Sequence, residues 1–107
     1  KLIWNCTFGL LCDVYDQAVG SLVQTKSEGI EALVAELCLV ANAALNVHLD
    51  AKPIAKSVCE YSMTIPQYQG ALKQWEWRNG WFVQAARIHS LPTPVHFELL
   101  RRVGRET

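Results

Sequence analysis

The stretch Ser27-Glu28-Gly29-Ile30-Glu31-Ala32-Leu33-Val34-Ala35-Glu36-Leu37-Cys38-Leu39-Val40-Ala41-Asn42-Ala43-Ala44-Leu45 decides the fold class. Ile30, Leu33, Val34, Leu37, Ala41, Ala44 and Leu45 recur at i, i+3, i+4 and i+7, the stripe of an amphipathic helix. Ser27 reads as its N-cap. Glu28, Glu31 and Glu36 lie off the stripe, and the first two suit the positive end of the helix dipole. Asn46 suits the left-handed conformation that ends such a helix.

Helical spacing continues on both sides. Leu2 to Tyr15 reads as a helix whose weak point is Gly9. Asp50 is expected to cap a helix from Pro53 to about Met63, with Pro53 in the first turn, where proline is tolerated. Pro66 to Gly70 is irregular. Gln74 to His89 returns to helical spacing through Trp77, Trp81, Ala85 and Ile88, with Gly80 weakening its middle. Thr93-Pro94 has the form of an N-cap followed by proline at N1, and opens a last helix through Phe97, Leu100 and Val103. Five helices and no convincing strand predict an all-α, compact helical domain spanning 1–107.

The 107 residues hold ten Lys+Arg and ten Asp+Glu, for a formal net charge of +0. At 50% hydrophobic and 19% charged the chain can build one core, the opposite of a disordered composition. A neutral chain gains no general attraction to phosphate backbones or acidic lipid, so neither nucleic acid nor a membrane is expected as a partner. No apolar stretch approaches the ~18 residues of a membrane span. Cys6, Cys12, Cys38 and Cys59 form no C-x-x-C pair, and His48, His89 and His96 lack zinc-finger spacing, so no metal site is expected. The even count allows two disulfides, but the cysteines sit among Leu, Val and Ala and read as buried free thiols of a cytoplasmic protein. No G-x-S-x-G is present, and the six glycines never form G-x-G-x-x-G, so a serine-hydrolase elbow and a dinucleotide fingerprint are both missing. The chain starts at Lys1 without signal-peptide order and is expected to be a piece of a longer polypeptide or a trimmed chain.

Two constellations remain. Lys1, Asn5 and Gly9 share one helix face, and a lysine and an amide one turn apart beside a glycine suit a polar site. Trp75, Trp77 and Trp81 crowd one segment, and rings two apart lie on different sides of a helix, so at least one is expected to face a partner. Ser62 has no base near it in sequence.

Five segments, in order, resemble one family. Lys1-Leu2-Ile3-Trp4-Asn5-Cys6 looks like the K-L-x-x-N-C start of the C-terminal helical domain of ketopantoate reductases (2-dehydropantoate 2-reductases). Leu45-Asn46-Val47 resembles that family's A-L-G-V helix end, and Tyr61-Ser62-Met63 its S-S-M segment. Glu76-Trp77-Arg78-Asn79-Gly80 resembles its E-I-D-Y-I-N-G stretch, and His89-Ser90-Leu91-Pro92-Thr93-Pro94 its H-G-I-P-T-P. The resemblance covers nearly the whole chain.

The resemblance implies a helical domain like the C-terminal domains of 6-phosphogluconate-dehydrogenase-like reductases. It makes Lys1 the match for the catalytic lysine, the general acid toward a keto oxygen as NADPH delivers hydride. Asn5 and Ser62 match substrate-binding residues, and Asn79-Gly80 a structural turn. The family's active-site glutamate falls on Gln74, which keeps the shape and loses the charge. Its second opening-helix asparagine falls on Gly9, and the aspartate after S-S-M on Pro66.

Two functions follow from this. The chain is either the substrate and dimer domain of an NADPH-dependent reductase of a 2-keto acid, or a diverged, non-catalytic helical assembly module. In the first, NADPH belongs to an N-terminal Rossmann domain. The expected partners are the keto acid, that Rossmann domain and a second copy in a homodimer. This chain alone is expected to bind no nucleotide.

Overall fold

The computed structural model describes residues 2–105. They form α1 (Leu2–Tyr15), α2 (Val19–Thr25), α3 (Ser27–Leu45), α4 (Ala51–Ser62), a single 3₁₀ turn at Trp75–Trp77, α5 (Asn79–Ile88) and α6 (Pro94–Arg102). The described residues hold no strand. The all-α expectation stands.

The helix read from 27–45 is the centre of the fold. Packed against all five other helices, α3 buries Ile30, Leu33, Val34, Leu37 and Ala41. Leu45, the last residue of the expected stripe, is exposed. Asn46 takes the left-handed conformation at φ 53°, ψ 48°. Just inside that end, Asn42 clamps the loop into α4: its Oδ1 accepts the Leu49 N–H at 2.7 Å and its Nδ2 donates to the Leu49 carbonyl at 3.1 Å.

Four expectations need correction. First, α2 was not foreseen. It is seven residues rich in Val, Thr and Gly, poor helix formers, and it forms because Val19 and Leu22 are buried in the core. Second, Ser27 is the first helical residue of α3, and Lys26 holds the N-cap place without a side-chain bond. The Lys26 N–H bonds back to Leu22 O (2.7 Å) while its carbonyl accepts from Ile30 (2.9 Å), so one residue closes α2 and opens α3. Third, α4 starts at Ala51, and Asp50 caps it through its backbone alone. Fourth, residues 74–78 are not α-helical. Gln74 is left-handed at φ 48°, ψ 52°, the 3₁₀ turn follows, and α5 begins only at Asn79. Gly9, in contrast, leaves α1 uninterrupted.

Two sets of polar contacts, one part-buried and one buried, lock α5 and α6 onto the rest. The Thr93 side chain makes no capping bond to α6. Glu36 of α3 caps it instead, accepting the Val95 N–H at 2.8 Å and the His96 N–H at 2.9 Å. A carboxylate on the free amides of a helix start satisfies orphan donors and complements the dipole. The Asn79 Nδ2 donates to the Cys6 carbonyl at 3.1 Å and meets His96 Nε2 at 3.0 Å. An amide nitrogen only donates, so Nε2 is the acceptor and the ring is neutral, with its proton on Nδ1. Burial pushes the His96 pKa down to about 4.

Two outcomes follow. Glu36→Ala should cost about 1–2 kcal/mol in denaturant unfolding, and an unchanged midpoint would contradict the cap. His96 is protonated less readily folded than unfolded, so stability should hold above about pH 7 and fall between about pH 6.5 and 4, losing about 2 kcal/mol from pH 7 to 5. His96→Gln, which keeps an acceptor, should remove that slope. Folded-state His96 resonances titrating near pH 6.5 would contradict it.

Candidate functional site around the start of α1

The α1 face is built on Trp4. Its indole N–H donates to Ser62 Oγ at 2.9 Å, and the Ser62 hydroxyl donates to the Val58 carbonyl at 2.7 Å. Ser62 is fully buried. The Trp4 ring meets Tyr61 edge-on at 5.3 Å between centroids, and lies 5.9 Å from both Phe8 and Tyr68. Such contacts fix an amphipathic ring in one orientation. The start of α1 is thereby held against the end of α4.

Residues 66–74 cross this face. Val19 and Gly20, at the start of α2, donate to the Tyr68 carbonyl (2.8 Å) and the Pro66 carbonyl (3.0 Å). From α1, Asp13 Oδ2 accepts the Leu72 N–H at 2.8 Å, and Asp16, just beyond the helix, accepts from Gln69 Nε2 at 2.9 Å. Gly9 allows the approach, since a Cβ there would sit 2.8 Å from the Ala71 carbonyl oxygen.

Between this segment and α1 lies a narrow recess of about 20 Å³, lined among others by Asn5, Gly9, Gly70, Lys73 and Arg78. It has room for one small group, not a whole ligand. Lys73 and Arg78 were missed in sequence. The only signal was two cations flanking Gln74 in a neutral chain. The Arg78 charge reaches the core, where burial pushes the Cys6 thiol up to about 12 and Arg78 pulls it back down. The other three cysteines are free thiols too, each raised by burial. Raised thiols are poor nucleophiles.

The candidate residues are therefore placed as follows. Asn5 is half-buried and lines the recess. Gln74 is exposed beside Lys73, its carbonyl accepting from Trp77 (2.9 Å) and Arg78 (3.1 Å). The Ser62 hydroxyl is committed to Trp4 and Val58, so it reaches this face only through the indole. Lys1 lies outside the described residues. No group of three or more His, Cys, Asp or Glu side chains able to hold a metal occurs among the described residues, and no helix there is long and apolar enough to cross a membrane.

Removing the Ser62 hydroxyl should strand the Trp4 indole N–H. Ser62→Ala is expected to cost about 1–2 kcal/mol and to shift the Trp4 indole resonance. An unmoved resonance would contradict this anchoring.

The order of motifs and the geometry meet in one comparison. The family model described as ketopantoate reductase PanE/ApbA C terminal matches residues 1–105. No curated protein sequence matches the chain. With a match over nearly its full length, the chain belongs to the family of ketopantoate reductase C-terminal domains.

Proposed function

We propose that this chain is the substrate and dimer domain of an NADPH-dependent reductase of 2-keto acids, of the ketopantoate-to-pantoate class. The observation that carries the reading is the recess beside the α1 start, which Asn5, Lys73 and Arg78 line together. We read the whole of 1–107 as one domain with the architecture of 6-phosphogluconate-dehydrogenase-like C-terminal domains, acting as a homodimer in the cytoplasm, where free thiols persist.

We assign the nucleotide to another domain, because the glycines of this sequence never form the G-x-G-x-x-G phosphate loop. NADPH, the hydride donor, would come with an N-terminal Rossmann domain. The residues here bind the keto acid and handle its proton. Lys1, one turn before Asn5 in sequence, donates a proton to the keto oxygen as negative charge builds there. Asn5 holds the substrate by hydrogen bonds, and Lys73 and Arg78 offer charge to its carboxylate. Gln74 orients it through an amide, and Ser62 supports the face by fixing Trp4.

A specific observation favours the second reading, a non-catalytic assembly module. Trp77 is 75% and Ile88 76% exposed, and large apolar side chains in the open mark contact surfaces.

Activity separates the two. Fused to the Rossmann domain of an active family member, this chain should reduce ketopantoate slowly, and Gln74→Glu should raise kcat/KM by about tenfold or more, restoring one charged contact. Asn5→Ala should lower it by a similar factor. No turnover in either the parent or Gln74→Glu would sink the enzyme reading.

A further inference from the structure

A second cleft, of about 390 Å³, lies between Trp75, α5 and the residues just past α6. Gly80, Gln84 and Arg87 stand at i, i+4 and i+7 and line it from one face of α5. Trp75 forms one wall, and Gly104 with Arg105, just past α6, the other. We propose that this cleft is an anion site that takes the phosphoryl group of a small, hydroxylated phosphate monoester.

Three features build the site. A Cβ on Gly80 would lie 2.7 Å from Trp75 Nε1 and 2.8 Å from its Cε2, so the indole rests directly on the helix backbone. On that indole sits Arg105, its guanidinium carbon 4.6 Å from the ring centroid. A cation over an indole face is held by the ring quadrupole. The Arg105 backbone is fixed as well. Gly104 at φ 80° turns the chain, its N–H donates to the Arg101 carbonyl at 3.1 Å, and the Arg105 N–H reaches the Leu100 carbonyl at 2.9 Å. That is the paired bonding of a Schellman turn, which needs a left-handed residue and favours glycine. Arg105 is thus aimed from both its backbone and its side chain.

Arg87 and Arg105 line one cleft, and neither has an ion-pair partner among the described residues. Among the described residues no acidic side chain lines it with them. Two guanidinium groups lining one cleft repel each other, and a dianion between them removes that cost. Guanidinium also matches phosphate oxygens in pairs, as an ammonium does not. The lining is mostly polar, which suits a hydroxylated remainder better than an aromatic base. Zero net charge on the chain argues against a polyphosphate strand as the source. The site requires neither the reductase reading nor a second domain.

Titration of the chain with inorganic phosphate, glycerol 3-phosphate and adenosine 2′-monophosphate, at constant ionic strength, tests it by NMR. The Trp75 indole N–H should shift saturably with phosphate and with glycerol 3-phosphate. Arg87→Gln and Arg105→Gln should each weaken binding about tenfold, whereas Arg102→Gln, an exposed arginine outside the cleft, should leave it unchanged. Circular dichroism confirms that each variant folds. No saturable shift, the same shift with chloride, or equal losses in all three variants would overturn the site. Tighter binding of adenosine 2′-monophosphate than of glycerol 3-phosphate would overturn the hydroxylated ligand.

Discussion

The buried amide of Asn79 is the constraint on which the other contacts depend. One nitrogen serves two elements at once, the α1 backbone at Cys6 and the α6 imidazole of His96. Removing either partner leaves a buried polar group unpaired, at a cost of about 1–3 kcal/mol. Asn79 is also the first residue of α5. Its position therefore sets where the preceding turn, with Arg78 and Trp75, can lie. The α1 recess takes Lys73 and Arg78 from this stretch, and the arginine cleft takes Trp75 and Gly80. Both inherit their geometry from one side chain.

A second tie works from the centre outward. Through Glu36, α3 holds the start of α6 by two backbone amides. The bonds at Glu36 and at Asn79 meet on the same residue, His96, whose backbone N–H serves the carboxylate and whose ring serves the amide. A neutral, buried imidazole is thus a structural part here. Polar networks of this kind specify a single packing when every member is satisfied.

Much of this fold was legible in the sequence, and the reasons are physical. The 27–45 stripe and the Thr93-Pro94 opening were legible because periodicity and proline act locally. Asn46 was legible because its left-handed tendency is intrinsic. What was not legible depended on tertiary context. Seven residues of α2 carry no helical preference of their own, and core burial holds them. Gln74 carries no glycine-like signal for positive φ, yet adopts it, and so the helix expected from 74 starts five residues later. Glu36 sat off the apolar stripe, where a glutamate ordinarily faces water. Of the site, Asn5 could be placed from its spacing on α1. Lys73 and Arg78 could not, because only the crossing of 66–74 over α1 brings them to it.

The most direct test of the Asn79 constraint is a double-mutant cycle with Asn79→Ala and His96→Phe, singly and together, read by denaturant unfolding. If the amide and the ring are one structural unit, the two losses should fall short of additivity by about 1–3 kcal/mol. Losses that simply add, within about 0.5 kcal/mol, would show that Asn79 and His96 act apart and that the shared tie does not hold the fold.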